Sequence, residues 1–216
     1  MRTFLISGVC FLSALIVTVI SLKCQQCVST TENKCEGTEI TCSTSENNCV
    51  SLTTETIVGD TKVNVFAKAC SASSECNFPF FMTDGNSKTR GATKCCKSDN
   101  CENGVISLPN VNNTLNGLQC PSCNAVGTDK CEKSSTIKCE GAENRCIYYS
   151  LTVSKGTTKI STATRGCGSE NICSSSQTGL FHGATLNFFE CSSASCLYHS
   201  LLVPIIVELY LIKLLS

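Results

Sequence analysis

The chain has no tryptophan, and aromatic residues make up only 6% of its 216 residues. Large rings bury the most apolar area per residue, so a core built mainly on them is excluded. Histidine is nearly as scarce. Only His182 and His199 occur, which leaves the first half of the chain without a histidine for a zinc site or a general base. No G-x-S-x-G motif is present, and a lone His182 beside Phe181 on a loop reads as a surface or turn residue. Catalysis is therefore unsupported, and the expectation is a protein that is not an enzyme and takes no cofactor or metal. Neither sign of charge is in excess, with 17 Lys plus Arg against 17 Asp plus Glu and no long run of either. Nothing here offers the basic groove that nucleic acid requires. No interior segment shows sustained helical periodicity, so no helix is expected away from the two ends.

What the chain does have is cysteine, 20 in all. Nineteen of them fall into one spacing pattern written twice. The first copy reads Cys24, Cys27, Cys35, Cys42, Cys49, Cys70, Cys76, Cys95, Cys96 and Cys101; the second reads Cys120, Cys123, Cys131, Cys139, Cys146, Cys167, Cys173, Cys191 and Cys196. Counted from the first cysteine of each copy, the offsets begin 0, 3, 11, 18, 25, 46, 52, 71 and 0, 3, 11, 19, 26, 47, 53, 71. This is a duplicated disulfide scaffold. Each copy opens with C-x-x-C, a spacing that zinc and redox sites also use. The zinc reading lacks histidine partners, and the redox reading lacks a βαβ context, so structural disulfides are the better reading. A repeat of about 80 residues has a thin core, and a disulfide typically adds ~2–4 kcal/mol. Reduction is therefore expected to unfold the chain.

The ends suggest an extracellular route. Arg2 precedes a largely apolar run from Phe4 to Ile20, and Val19 and Ser21 suit cleavage after Ser21, so residues 1–21 read as a secretory signal carrying Cys10. Ser7, Gly8, Ser13 and Thr18 dilute that run as a membrane anchor. The first repeat then spans residues 22–103 and the second 119–196. Between them, residues 104–118 mix Gly, Pro and Asn as linkers do, and they hold the only N-x-Ser/Thr sequon, at Asn112. A glycan is expected there. Residues 197–216 form an apolar tail in which Pro204, Glu208 and Lys213 interrupt the stretch from Leu201 to Leu215, so a spanning helix is a poor reading; the tail is expected to be a lipid-anchor signal removed during maturation, and a secreted protein that keeps it is the rival.

Inside the repeats the residues favour strands. Val50 to Val58 and Lys62 to Cys70 are rich in Val, Thr and Ile around Gly59-Asp60, and Ile147 to Val153 and Thr158 to Gly166 repeat this around residues 154–157. Both read as long antiparallel hairpins. A further hairpin is expected from Phe78 to Cys95, turning at Asp84-Gly85-Asn86.

The opening C-x-x-C, the long hairpin ending in a cysteine, and the closing run Cys95-Cys96-Lys97-Ser98-Asp99-Asn100-Cys101 resemble the three-finger domain of the lymphocyte-antigen-6/urokinase-receptor family. Two such domains after a signal peptide are similar to the gamma-class phospholipase A2 inhibitors. Leu22-Lys23-Cys24, Leu118-Gln119-Cys120-Pro121 and Cys35-Glu36-Gly37 fit that group. The resemblance implies an all-β fold of two tandem disulfide-rich domains. It also implies the pairs Cys24–Cys49, Cys27–Cys35, Cys42–Cys70, Cys76–Cys95 and Cys96–Cys101, then Cys120–Cys146, Cys123–Cys131 and Cys139–Cys167. Spacing alone selects none of these. Cys173, Cys191 and Cys196 cannot all pair within the domain. Cys173–Cys191 is favoured because the inhibitors end their second domain with one cysteine there; Cys191–Cys196 is the rival.

The function so implied is that of an extracellular, non-catalytic binding protein whose partner is a protein, with a secreted phospholipase A2 as the expected one. Phe80, Phe81 and Phe181 near fingertips are candidate contacts, as are their neighbours Phe78, Met82 and Leu180; packing between fingers or domains is the competing reading. One of the adjacent Tyr148 and Tyr149 should face outward. The alternative is a surface receptor or adhesion protein of the urokinase-receptor type, touching the membrane only through a lipid anchor. Ser192 and Ser193, in the cluster Ser192-Ser193-Ala194-Ser195, are the candidate attachment residues.

Overall fold

The computed structural model describes residues 21–132, 135–174 and 184–193; residues 1–20 of the signal segment, Phe181, His182, Cys196 and the tail lie outside the described residues. The first domain is three antiparallel hairpins. They are β1 (Lys23–Ser29) with β2 (Thr38–Thr41), β3 (Asn48–Val58) with β4 (Thr61–Ser71), and β5 (Pro79–Asp84) with β6 (Ser87–Cys96). The second repeats the plan with β7 (Leu115–Val126) and β8 (Ser135–Glu140), β9 (Arg145–Lys155) and β10 (Thr158–Gly168), and β11 (Ala184–Ser193) beside β9. The long central hairpins form where the Val, Thr and Ile runs predict them. Gly59 and Gly156 take φ of 58° and 61° at their tips, a conformation that costs glycine little. At the third fingertip Asp84 Oδ1 accepts the N–H groups of Asn86 and Ser87, closing the turn.

The base of each domain is sulfur rather than rings. Among the described residues nine disulfides form, joining Cys24–Cys49, Cys27–Cys35, Cys42–Cys70, Cys76–Cys95, Cys96–Cys101, Cys120–Cys146, Cys123–Cys131, Cys139–Cys167 and Cys173–Cys191. Cys24, Cys42, Cys49 and Cys70 pack into one buried cluster, and Cys120, Cys139 and Cys167 into another. The bridges Cys24–Cys49, Cys42–Cys70, Cys120–Cys146 and Cys139–Cys167 span 25 to 28 residues. In the chain-entropy view each is worth about 3.5 kcal/mol.

Among the described residues two short helical turns correct the expectation of strands alone: a 3-10 turn at Ser73–Glu75 and α1 (Glu170–Ser174). Neither is long enough to write a helical period into the sequence. They sit at matching places, beside Cys76 and Cys173, and each buries one side chain completely. That side chain is Glu75 in the first domain and Ile172 in the second.

The domains are not beads on a string. Strands run edge to edge in the order β11-β9-β10-β5-β6-β3-β4-β1-β2, with β7 and β8 branching from β10. The junction is β5 against β10, where Gly166, Cys167 and Gly168 face Asp84, Thr83 and Met82. Beyond it, the Ser169 N–H donates to Phe81 O and Ser169 Oγ accepts the Phe81 N–H, at 3.0 and 3.1 Å. Asn171 Nδ2 donates to Pro79 O at 2.9 Å. Ile172 joins the cluster of Leu52, Ala67 and Phe80 from the first domain. This pairing levels Asp84, at the tip of its finger, with Gly166, at the base of the second domain, so the domains stack head to tail.

The repeat explains why only the second domain receives. A Cβ at Gly166 would lie 2.0 Å from Thr83 O, so β5 can approach only if that residue is glycine. The equivalent places in the first domain, aligned on Cys70 and Cys76, hold Ala69, Ser71 and Glu75 where the second has Gly166, Gly168 and Ile172. Ala69 and Ser71 add the Cβ atoms that β10 omits, and Glu75 replaces an apolar plug with a carboxylate held by Ser71 Oγ at 2.7 Å. Ile172→Ala should cost about 2–5 kcal/mol, read as a lowered Tm. Gly166→Val should separate the domains, raising the radius of gyration in small-angle scattering with all disulfides intact by mass. An unchanged radius would show that β5 and β10 do not fix the pair.

Candidate functional site

The stacking leaves a cleft of about 400 Å³ between the domains. Its floor is one face of β3, β6 and β5, where register sets two cross-strand rows: Glu55–Arg90–Phe81 and Ile57–Lys88–Thr83. Alternation along each strand makes those residues share a face. Glu140, Ala142 and Glu143 of the second domain form one wall, and residues 110–113 of the linker form the other.

The linker is docked along the first domain. Asn103, buried at its start, donates from Nδ2 to Cys49 O and Ser51 Oγ at 3.2 and 3.0 Å. Arg90 Nη1 donates to Pro109 O at 2.9 Å. At the far end the Gly141 N–H donates to Thr114 O at 2.9 Å, and Asn116 Nδ2 donates to Gly141 O and Glu143 O. Strand β7 begins at Leu115, inside the segment that composition marks as linker.

The charges of the cleft are spent on one another. Glu55, only 7% exposed, accepts from Lys62 Nζ at 2.9 Å and from Arg90 Nη2 at 2.8 Å. Lys62 first, and then Arg90, hold its carboxyl below the usual carboxylate range despite burial. Lys88 Nζ meets Glu140 Oε2 at 2.6 Å across the domain boundary. Glu143, 5% exposed, accepts from Thr83 Oγ1 and from its own domain's Glu140 N–H, yet burial pushes its carboxyl up. What remains for a ligand is an electrically balanced cleft with Ile57, Phe81, Val111 and Ala142 in its lining. That arrangement suits an apolar or neutral polar group.

Of the predicted contact residues, Phe81 lines this cleft, and Phe80 does not. Phe80 is a correction: it is 2% exposed, with its ring over Gly91, where a Cβ would meet ring carbons at 2.3 Å. Adjacent residues on a strand face opposite sides, and the inward side here is the core that Ile172 completes. Phe78 and Met82 pack against that same core. Leu180 and Phe181 lie outside the described residues. Neither tyrosine is free. Tyr148 stacks edge-on against Phe188, with Arg165 over its ring at 3.8 Å. Tyr149 stacks on Phe189, and burial pushes its hydroxyl up to about 12. Asn112 lines the cleft, and Ser192 and Ser193 stand opposite Cys146 and Arg145 at the end of β11. The sulfur triads Cys24, Cys42, Cys70 and Cys120, Cys139, Cys167 have the compactness of metal sites, but every member is in a disulfide.

Sequence reasoning missed Ile57, 38% exposed at the cleft, and the apolar residues around the central tips: Val58 and Val63 in the first domain, Val153 and Ile160 in the second. The signal was present as apolar residues on both sides of Gly59-Asp60 and Gly156-Thr157, where a fingertip has no core to receive them.

Comparison with known proteins agrees with this architecture. Residues 22–103 match the phospholipase A2 inhibitor family, and residues 116–198 match the u-PAR/Ly-6 domain. A gamma-type phospholipase A2 inhibitor of Gloydius brevicaudus siniticus is 28% identical over 84% of this chain and 90% of that one. The corresponding gamma-type inhibitor of Elaphe climacophora is 30% identical, covering 76% and 82%. The urokinase plasminogen activator surface receptor of Bos taurus is 30% identical over 81% of this chain but 53% of that one. The fold defines a tandem three-finger protein of the u-PAR/Ly-6 class. Within that class, the chain belongs to the phospholipase A2 inhibitor family.

Glu143 supplies a pH test of the cleft wall. Its folded-state pKa is raised, so below the unfolded value both states are protonated and burial carries no penalty. The penalty grows as pH rises through the carboxylate range. The Tm difference, wild type minus Glu143→Gln, is therefore expected to be more positive near pH 4 than near pH 7. The reverse order contradicts a desolvated carboxyl at the interface.

Proposed function

We propose that this chain is an extracellular, non-catalytic binding protein that inhibits a secreted phospholipase A2. Kinship carries the reading: relatives named as phospholipase A2 inhibitors align across both domains and most of their own length. The N-terminal apolar run and the dense disulfides support an oxidising, extracellular setting. The apolar end of the first domain's central finger, with Ile57, Val58 and Val63 exposed, is the contact surface in this reading. No core receives these side chains, so a partner covers them without having to displace a strongly hydrated ion.

A panel of secreted phospholipases A2 tests it. At least one should lose activity on mixing and form a complex that survives gel filtration. Ile57→Asp should weaken that inhibition at least tenfold while leaving the disulfides and the circular dichroism unchanged. No inhibition and no complex across a broad panel would overturn the reading in favour of a surface receptor. For that rival, with a glycolipid on Ser192 or Ser193, phosphatidylinositol-specific phospholipase C should release the protein from expressing cells.

A further inference from the structure

The sequon is the one motif that the binding reading leaves unused, and the fold gives it an unexpected address. Asn112 is exposed, yet it lines the interdomain cleft. It cannot swing away from there. The strap that carries it is tied to the first domain through Arg90 and Pro109 O, and to the second through Gly141 and Thr114 O. Gly141 itself makes room for it: φ is 51° there, and a Cβ would stand 2.7 Å from Asn112 O. The side chain is oriented as well. Asn112 Oδ1 accepts the Thr114 N–H at 3.0 Å, and Nδ2 donates no hydrogen bond among the described residues.

We propose that Asn112 carries an N-linked glycan whose first sugars lie in the cleft and brace the two domains. In the transfer, Nδ2 displaces polyprenyl diphosphate from the anomeric carbon of a polyprenyl-diphosphate oligosaccharide. A C–N bond forms, the C–O bond to the diphosphate breaks, and the amide gives up one proton. A sugar attached there starts at the cleft's edge by covalent necessity. The cleft suits it chemically. Its volume of about 400 Å³ is in the range of small-molecule sites, about 300–1,000 Å³. Phe81 offers an aromatic ring to the C–H side of a pyranose, while Asn110 and Asn113 offer amide partners. Lys88 is paired with Glu140 and Arg90 with Glu55, and the carboxyl of Glu143 is buried against Thr83, so the lining holds no unpaired cation that would require an anion. A neutral, amphipathic ligand is what such a lining accepts. The glycan would touch β3, β5 and β6 of one domain and Glu140 to Glu143 of the other, so it bridges the joint.

The test compares two glycans in one folded molecule. Lys155→Asn creates a second sequon over residues 155–157 at the tip of the β9–β10 hairpin, away from the cleft. The full chain carrying that change is secreted from animal cells and digested, undenatured, with peptide N-glycosidase, and release from each site is followed by mass spectrometry. Release from Asn112 should be at least tenfold slower than from the fingertip, and the two rates should converge after reduction and denaturation. Thr114→Ala, which removes the sequon and keeps Asn112, should lower the Tm by several degrees. No sugar on Asn112 overturns the proposal, and so does native release as fast as from the fingertip. Should the Thr114 variant fail to secrete, the rate comparison in the parent chain still decides.

Discussion

Strand β5 belongs to two domains at once. By sequence it is half of a hairpin in the first domain, and by hydrogen bonding it is also the neighbour of β10 in the second. Everything particular to this molecule follows from that sharing. It levels a fingertip of one domain with the disulfide base of the other. It turns two small domains into one sheet, and it leaves a cleft where the linker must cross from one to the next. The requirement behind it is steric. Backbone approaches backbone so closely at Gly166 that a single methylene would part them.

Much of the fold was legible in the chain because its strongest constraints are local or periodic. Cysteine offsets repeat, and β-branched runs flank glycine turns, so two tandem all-β domains could be read directly. The joint was not legible. It rests on Gly166, Gly168 and Ile172, and each of these looks ordinary until the two repeats are overlaid on a structure. Glycine in a strand signals close approach without naming what approaches. The helical turn that delivers Ile172 is too short to write a period.

The candidate site shows the same limit at finer grain. Phe80 and Phe81 are neighbours in sequence and equal in composition, yet one completes a core and the other faces a cleft. Strand alternation predicts that they differ but not which is which; that depends on where Gly91 and Ile172 lie. Glu55 and Arg90 are 35 residues apart and meet only because β3 and β6 are in register. Balanced composition concealed a balanced cleft. The net charge of the chain says nothing of partners, whereas paired charges in one cavity state what it can hold.

Hydrogen exchange tests the shared strand most directly. The amides of Phe81 and Ser169 bond across the joint, to Ser169 Oγ and Phe81 O. If the domains form one sheet, both amides should exchange as slowly as those in the β3–β4 hairpin, opening only with the unfolding of the whole. Exchange of these two at loop rates, with β3 and β4 still protected, would mean two independent domains and would contradict the account.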